Sequence, residues 1–371
     1  MDVGESDSAD AADRGGLDMN GSGGDAGDGV ARDSGRSDIR VDTGRDGGAD
    51  GSELDIGSTD ANTSDARTDG VASVRYFTSF DGVEGLAVEK GPSGAIYVVG
   101  RVAKYIPNKG HSRNKSFVIK YDANMNRQWV RTFGPTSGIT NPDRARDLAI
   151  SHAGEVYVVG TTTTPLGAGS RPGGATDGYL VKYDPSGKRQ WTRLIGTGRR
   201  DDAYGVEASG VGVTRIHVVG ETEGSLDGRK NGSASGDGFV STYADHGERL
   251  WTRLTGAKAG AVAVDVADDA GRIFVTGHST GDIAGKSAPN GAGFITSYRR
   301  SAPPQRNWLH TFGKGTKMGR KLGTISGVDS ITAGDPDTPG QLYVTGTTGP
   351  TRTGAPNSDD AFVVSFNDSP A

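Results

Sequence analysis

The chain has 371 residues, no cysteine and a formal net charge of −5, which excludes disulfides and thiolate metal sites. No stretch approaches the roughly 20 apolar residues of a membrane-crossing helix. The charge is unevenly placed: residues 1–70 hold 16 Asp, 2 Glu and 6 Arg and no aromatic residue, whereas the remainder is net +7. A segment so poor in apolar side chains cannot offset the entropy of ordering, so residues 1–72 are expected to form a disordered acidic spacer and 73–371 the folded domain. The opening MDVGESDSAD has neither the basic start nor the apolar core of a signal peptide. An Asp/Gly/Ser/Thr-rich leader of this kind suits the spacer behind a bacterial lipid anchor or export signal. A secreted or cell-surface protein is therefore expected, its signal lying outside this chain.

Beyond the spacer, RYFTSFDG (75–82) is the first β signal. Four further signals then recur in fixed order. A short stretch with a small residue comes first: GLAV (85–88), DLAI (147–150), GVEA (205–208), VDVA (264–267) and GVDSI (327–331). A strand ending in glycine follows, as IYVVG, VYVVG, IHVVG, IFVTG and LYVTG, with its glycines 60, 60, 57 and 69 residues apart. After a Gly/Ser/Thr-rich loop a third strand reads FVIKY, YLVKY, FVSTY, FITSY and FVVSF. Its terminal aromatics and β-branched centre favour a strand over a helix. A turn such as DPSG then leads to WVRTFG, WTRLIG, WTRLTG and WLHTFG. A repeat of this period in an all-β pattern means stacked units. Strands apolar on both faces suit a sheet packed between two others, the situation of a propeller blade.

The string RRDDAYGVEASGVGVTRIHVVGETEGSL followed by GDGFVSTYADHGERLWTRLTG resembles the bacterial β-propeller repeat called the SBBP repeat, and the resemblance covers residues 73–371. It implies a secreted or surface-attached bacterial protein and no defined activity. The family is named for seven blades. Here the count is five, because the last unit lacks its tryptophan strand and RYFTSFDG, aligned on RQWVRTFG, precedes the first unit alone. The fold expected is therefore an all-β, five-bladed β-propeller of four-stranded antiparallel blades, closed by pairing of 75–80 with 362–366. Such pairing leaves no open edge.

The long loops, between second and third strands and between units, share one face and are rich in base. Arg144, Arg146, Arg171, Arg199, Arg200, Arg229, Lys317, Arg320 and Lys321 form the expected ligand face, for an anionic glycan or another surface protein. Aromatics are not interleaved with these charges, so nucleic acid is not expected. No cofactor, metal site or catalytic residue is assigned, and a monomer is expected. Asp81, Asp143 and Asp201 precede the channel strand, with Glu84, Asp147 and Asp202 close by; Asp177, Asp237 and Asp360 precede the third strand. A catalytic pair needs two environments that push pKa values apart. Residues copied from blade to blade occupy one environment, so these carboxylates are expected to cap loops or bond neighbouring backbone. The function expected is a non-enzymatic binding or scaffolding module; the alternative is a carbohydrate-active hydrolase using channel carboxylates. Trp129, Trp191, Trp251 and Trp308 are expected to pack near the rim, with Arg131, Arg193 and Arg253 two residues on bonding across blades. His217 and His310 break the repeat, and none of the six histidines has ligand spacing.

Overall fold

A computed structural model describes residues 83–106, 111–134, 144–164, 166, 175–228, 235–269, 271–288, 291–300, 304–313, 325–333, 341–348 and 360–367. The spacer, the strand proposed at 75–80, and the long-loop bases Arg171, Arg229, Lys317, Arg320 and Lys321 lie outside them. Nineteen strands are described. Sheet I holds β1 (Val83–Lys90), β2 (Ile96–Ile106), β3 (His111–Tyr121) and β4 (Arg127–Phe133). Sheet II holds β5 (Arg144–Ile150), β6 (Val156–Thr162), β7 (Asp177–Tyr183) and β8 (Arg189–Ile195). Sheet III holds β9 (Asp201–Ser209), β10 (Arg215–Thr222), β11 (Asp237–Ala244) and β12 (Arg249–Leu254). Sheet IV holds β13 (Ala261–Asp269), β14 (Arg272–Ser279), β15 (Ala292–Arg299) and β16 (Arg306–Phe312), and sheet V holds β17 (Ile325–Ala333), β18 (Gln341–Thr348) and β19 (Asp360–Asn367).

Each sheet is an antiparallel meander in chain order, four-stranded in I–IV and three-stranded among the described residues of V. First strands touch in succession, β1 with β5, β5 with β9, β9 with β13 and β13 with β17, so they lie innermost. The architecture is all-β and propeller-like, with the blade order read from the sequence. Among the described residues helix is confined to two short 3₁₀ turns, neither able to cross a membrane.

The core lies between sheets. Tyr97, Val99, Val118 and Phe133 of sheet I pack on Leu148, Val156, Val158 and Tyr179 of sheet II. Corresponding clusters join II to III, III to IV and IV to V. This is why β6 and β7 are buried at every position: each faces two neighbours, and each large apolar side chain so enclosed contributes about 1.5–3 kcal/mol.

The repeated glycine has a steric cause. Every first strand carries a β-bulge opposite it, at Leu86, Arg146, Tyr204, Val264 and Asp329. The bulge presses a carbonyl onto the glycine. A Cβ at Gly160 would lie 2.1 Å from the Arg144 carbonyl oxygen, and one at Gly220 2.0 Å from that of Asp202. The ring of the third strand's leading aromatic closes the other side, Tyr179 or Phe239. No side chain fits.

The rim is clamped as the tryptophan and arginine pattern implied. Trp129 Nε1 donates to the Pro185 carbonyl at 3.1 Å and Arg131 Nε to that of Gly187 at 2.7 Å, both in the next sheet's outer turn. Trp191 and Arg193 repeat this on Asp245 and Gly247, at 3.1 and 2.9 Å, and Arg253 Nε reaches the Pro304 carbonyl at 3.2 Å. Gly187, at φ +82°, is where the Trp129 ring closes over the turn. These tryptophans are half-buried or buried, with Trp251 only 6% exposed.

Candidate functional site

The bulges position the residues that distinguish one unit from the next. A bulge turns extra side chain off the pleat and re-aims it. Its occupants here, Leu86, Arg146, Tyr204, Val264 and Asp329, are five different residue types, while the glycine opposite never changes. Two of them meet across adjacent sheets: the Arg146 guanidinium carbon stands 4.6 Å from the Tyr204 ring centroid. Burial, with Arg144 and Arg200 nearby, draws the Arg146 pKa below its ordinary value, and burial raises that of Tyr204. The Arg146 Nε is buried without a hydrogen-bond partner.

Around this pair the charges are mixed. Arg200 pairs with Asp202 at 2.7 Å, and the other Asp202 oxygen accepts from the Thr161 hydroxyl at 2.8 Å. Asp201 accepts from the Thr197 backbone and hydroxyl at 2.6 and 2.8 Å, and Arg101 pairs with Glu84. Glu221, raised in pKa chiefly by its burial, lies within electrostatic reach of Arg200 and Asp202. Of the residues expected on the ligand face, Arg144, Arg146 and Arg200 come together here. Arg199 is exposed to one side, its backbone donating to Thr197 Oγ1 at 3.2 Å.

Deeper along the first strands the carboxylates occupy two tiers. In one, Asp147 accepts from its own Leu148 N–H at 2.8 Å and from Val206 N–H of the next sheet at 2.9 Å. Asp265 does the same with Val266 at 2.8 Å and Ile331 at 2.9 Å, and also accepts from Ser330 Oγ at 2.9 Å. Both follow the bulge residue by one, so they are equivalent positions in sheets II and IV. In the other tier, Glu89 and Glu207 stand opposite Tyr97 and His217 in sheets I and III. Burial, compounded by mutual repulsion, lifts the Asp147 carboxyl to about 7 and that of Glu207 to about 8. Glu89 and Asp265 are raised as well, burial being the main cause for each.

Of the carboxylates before the third strand, Asp237 makes the bonds expected of a structural residue. Asp237 ties down the connection to the next sheet, accepting from Thr255 Oγ1 and from the Gly256 and Ala257 N–H groups at 3.0 and 3.2 Å. Asp81, Asp143 and the side chain of Asp360 lie outside the described residues. A Ser–His–Asp trio also forms, but it cannot serve as a nucleophile. His217 is fully buried, and Ser209 Oγ donates at 2.9 Å to the same Asp268 oxygen that His217 Nε2 and Arg300 hold. No base is left to take the serine proton. Among the described residues no group of three or more His, Asp or Glu is placed to hold a metal.

Arg146 and Glu207 illustrate what the sequence hid. The first read as one loop base among many and lies in a strand; the second drew no notice. The available signal was divergence between aligned repeats at the bulge.

No family model matches the chain. Among curated proteins, the regulatory protein FlaEY of Caulobacter vibrioides is 25% identical over 224 residues, spanning 56% of this chain and 22% of that protein. Among solved structures, Drosophila Semaphorin 2a is similar with a TM-score of 0.43 and 11% identity, over 77% of this chain and 48% of that one. An α-L-arabinofuranosidase of Fusarium graminearum gives 0.36 and 11%, over 76% and 92%. The class defined by the sheets themselves is a propeller-like repeat protein, with a mixed-charge site where its first strands begin.

Proposed function

We propose that the chain is a non-enzymatic binding or scaffolding module acting outside the bacterial cytoplasm as a monomer, with an anionic glycan meeting the long-loop face where the first strands begin. One observation carries this reading. The glycine of each second strand repeats from sheet to sheet, while the bulge positions opposite it all differ and bring a half-buried arginine against a tyrosine. Residues that vary at positions additional to the strand pairing suit a ligand site. In this reading the ring is closed by residues 75–80 pairing with β19, and the SBBP-type repeat supplies the blades. A glycan array probed with the full chain tests it. Binding to anionic glycans that is lost in Arg146→Glu/Arg200→Glu supports the reading, and an array without any signal ends it.

A second reading is favoured by the two carboxyls with pKa values of about 7 and about 8: a hydrolase in which Glu207 donates a proton. Hydrolysis of aryl glycosides abolished by Glu207→Gln would establish it. The backbone bonds that occupy Asp147 weigh against it.

A further inference from the structure

At the strand ends remote from the mouth, one corner of sheet III departs from its counterparts. In sheet I the residue after the third strand's closing tyrosine, Asp122, accepts from Gln128 Nε2 at 3.1 Å. In sheet II Asp184 accepts from Gln190 Nε2 at 2.8 Å. Sheet IV closes the same corner with Arg299 Nε donating to Asn307 Oδ1 at 3.0 Å. The register puts Ala244 and Leu250 there in sheet III, and Leu250 is 38% exposed. An apolar side chain left in water where three sheets place a bonded polar pair is not explained by packing.

The neighbouring β9–β10 hairpin extends the apolar surface. Seven residues lie between Ala208 and its partner Ile216, against five between Ile150 and Val156 in sheet II. Gly210 at φ +104° and Gly212 at φ +81° turn the backbone as other residues rarely can. Val211 and Val213 stand out from it, 82% and 62% exposed. Val213, Leu250 and Ala244 line a cleft of about 520 Å³ between the turns of sheets II and III, with Glu155, Asp245 and Glu248 among its polar groups.

Charge selects the occupant. Burial would raise the Asp245 carboxyl, but the bonds from Lys182 and the Tyr157 hydroxyl outweigh it and hold its pKa below the ordinary value. Glu155 and Asp245 share the one buried ammonium of Lys182, each at 2.7 Å, which leaves the trio one negative charge. Glu248 is exposed beside His246. Arg215 also borders the cleft, but along β10 it shares the His217 face, which looks toward sheet IV. An apolar wall with an acidic rim suits aliphatic side chains flanked by Lys or Arg, whose stems lie along apolar surface. It opposes an anionic lipid surface.

We propose that this cleft docks a short peptide segment of a protein partner, aliphatic at its centre and basic at its ends. The site lies at the opposite end of the strands from the mouth and does not depend on the glycan reading.

The test is panning of a random heptapeptide phage library on the full chain, then fluorescence polarisation of the enriched peptide. Peptides that combine aliphatic and basic residues should be enriched. Ala244→Asp/Leu250→Gln, which restores the pair of sheets I and II, should weaken binding at least about tenfold with no loss of melting temperature. Val213→Ser, in the exposed hairpin, and Glu248→Lys should each weaken it several-fold. Lys258→Gln, in the connection from sheet III to sheet IV, should leave it unchanged. The double variant adds a carboxylate, so tighter binding to it would show a purely electrostatic contact and overturn the apolar site. No enrichment, an acidic consensus, or equal binding by the double variant and Val213→Ser also overturns the proposal. Capture of the chain by phosphatidylglycerol vesicles, lost in Val211→Ser/Val213→Ser and without peptide enrichment, overturns it in favour of a lipid surface.

Discussion

Between sheets II and III, Trp191 and Arg193 reach into the β11–β12 turn and donate to the Asp245 and Gly247 carbonyls, while Lys182 and the Tyr157 hydroxyl close on the Asp245 carboxylate. Between sheets IV and V the same two positions hold Trp308 and His310. There the imidazole lies tilted against Trp308 at 5.0 Å and stacks on Phe366 at 6.4 Å, with Phe312 wedged between Phe362 and Phe366 at 5.8 and 5.7 Å. The polar clamp depends on an outer turn in the following sheet. Against β19, His310 and Phe312 bring ring-on-ring contacts. One exchange, arginine to histidine, tracks that change of neighbour.

The largest expected effect comes from the aromatic interface. Phe312→Ala removes a fully buried ring and should cost about 3–5 kcal/mol in chemical denaturation. A loss below about 1 kcal/mol would mean that sheet V is not part of the cooperative core.

Next come the raised carboxyls of the first strands in sheets II and III. Asp147 and Glu207 bind protons more tightly folded than unfolded, since their folded pKa values of about 7 and about 8 exceed ordinary carboxylate values. Their stabilisation is complete in acid and declines as pH rises through about 4 to 8. The melting temperature should drop by about 5 °C between these limits, less so in Glu207→Gln. A melting temperature that rises over this range contradicts the assigned burial.

Smaller still is the clamp itself. Arg193→Ala should cost about 1.5 kcal/mol and, because its acceptor is a carbonyl, the loss should hardly depend on salt. A strongly salt-dependent loss would point to an ion pair instead. Least of all is His310→Ala, about 0.5 kcal/mol for one partly exposed stack. An effect equal to that of Arg193→Ala would erase the contrast between the interfaces.

Much of this was legible in the chain. Glycine at Gly100, Gly160, Gly220, Gly277 and Gly346, and tryptophan followed two residues on by arginine, are local patterns, and they gave the strand order and the rim clamps. The bulge is not a local pattern. It exists only once β5 is paired with β6, when Arg146 proves to be the residue without an opposite number. That count decides that Asp147 and Asp265 are equivalent and that Glu207 aligns with Glu89. The mixed charge of the mouth escaped for a similar reason. Arg200 and Asp202 are near neighbours in sequence, but only the fold shows them as a closed pair with Thr161 behind.

The five bulges also bear on how such a protein could change its preferences over time. Because the residue at each bulge is additional to the pairing, it can be exchanged without moving a backbone hydrogen bond or emptying the space between sheets. Leucine, arginine, tyrosine, valine and aspartate already occupy the five positions on one scaffold. A library that randomises only Leu86, Arg146, Tyr204, Val264 and Asp329 would sample new specificities at little risk to folding, and duplicated units could diverge by the same route.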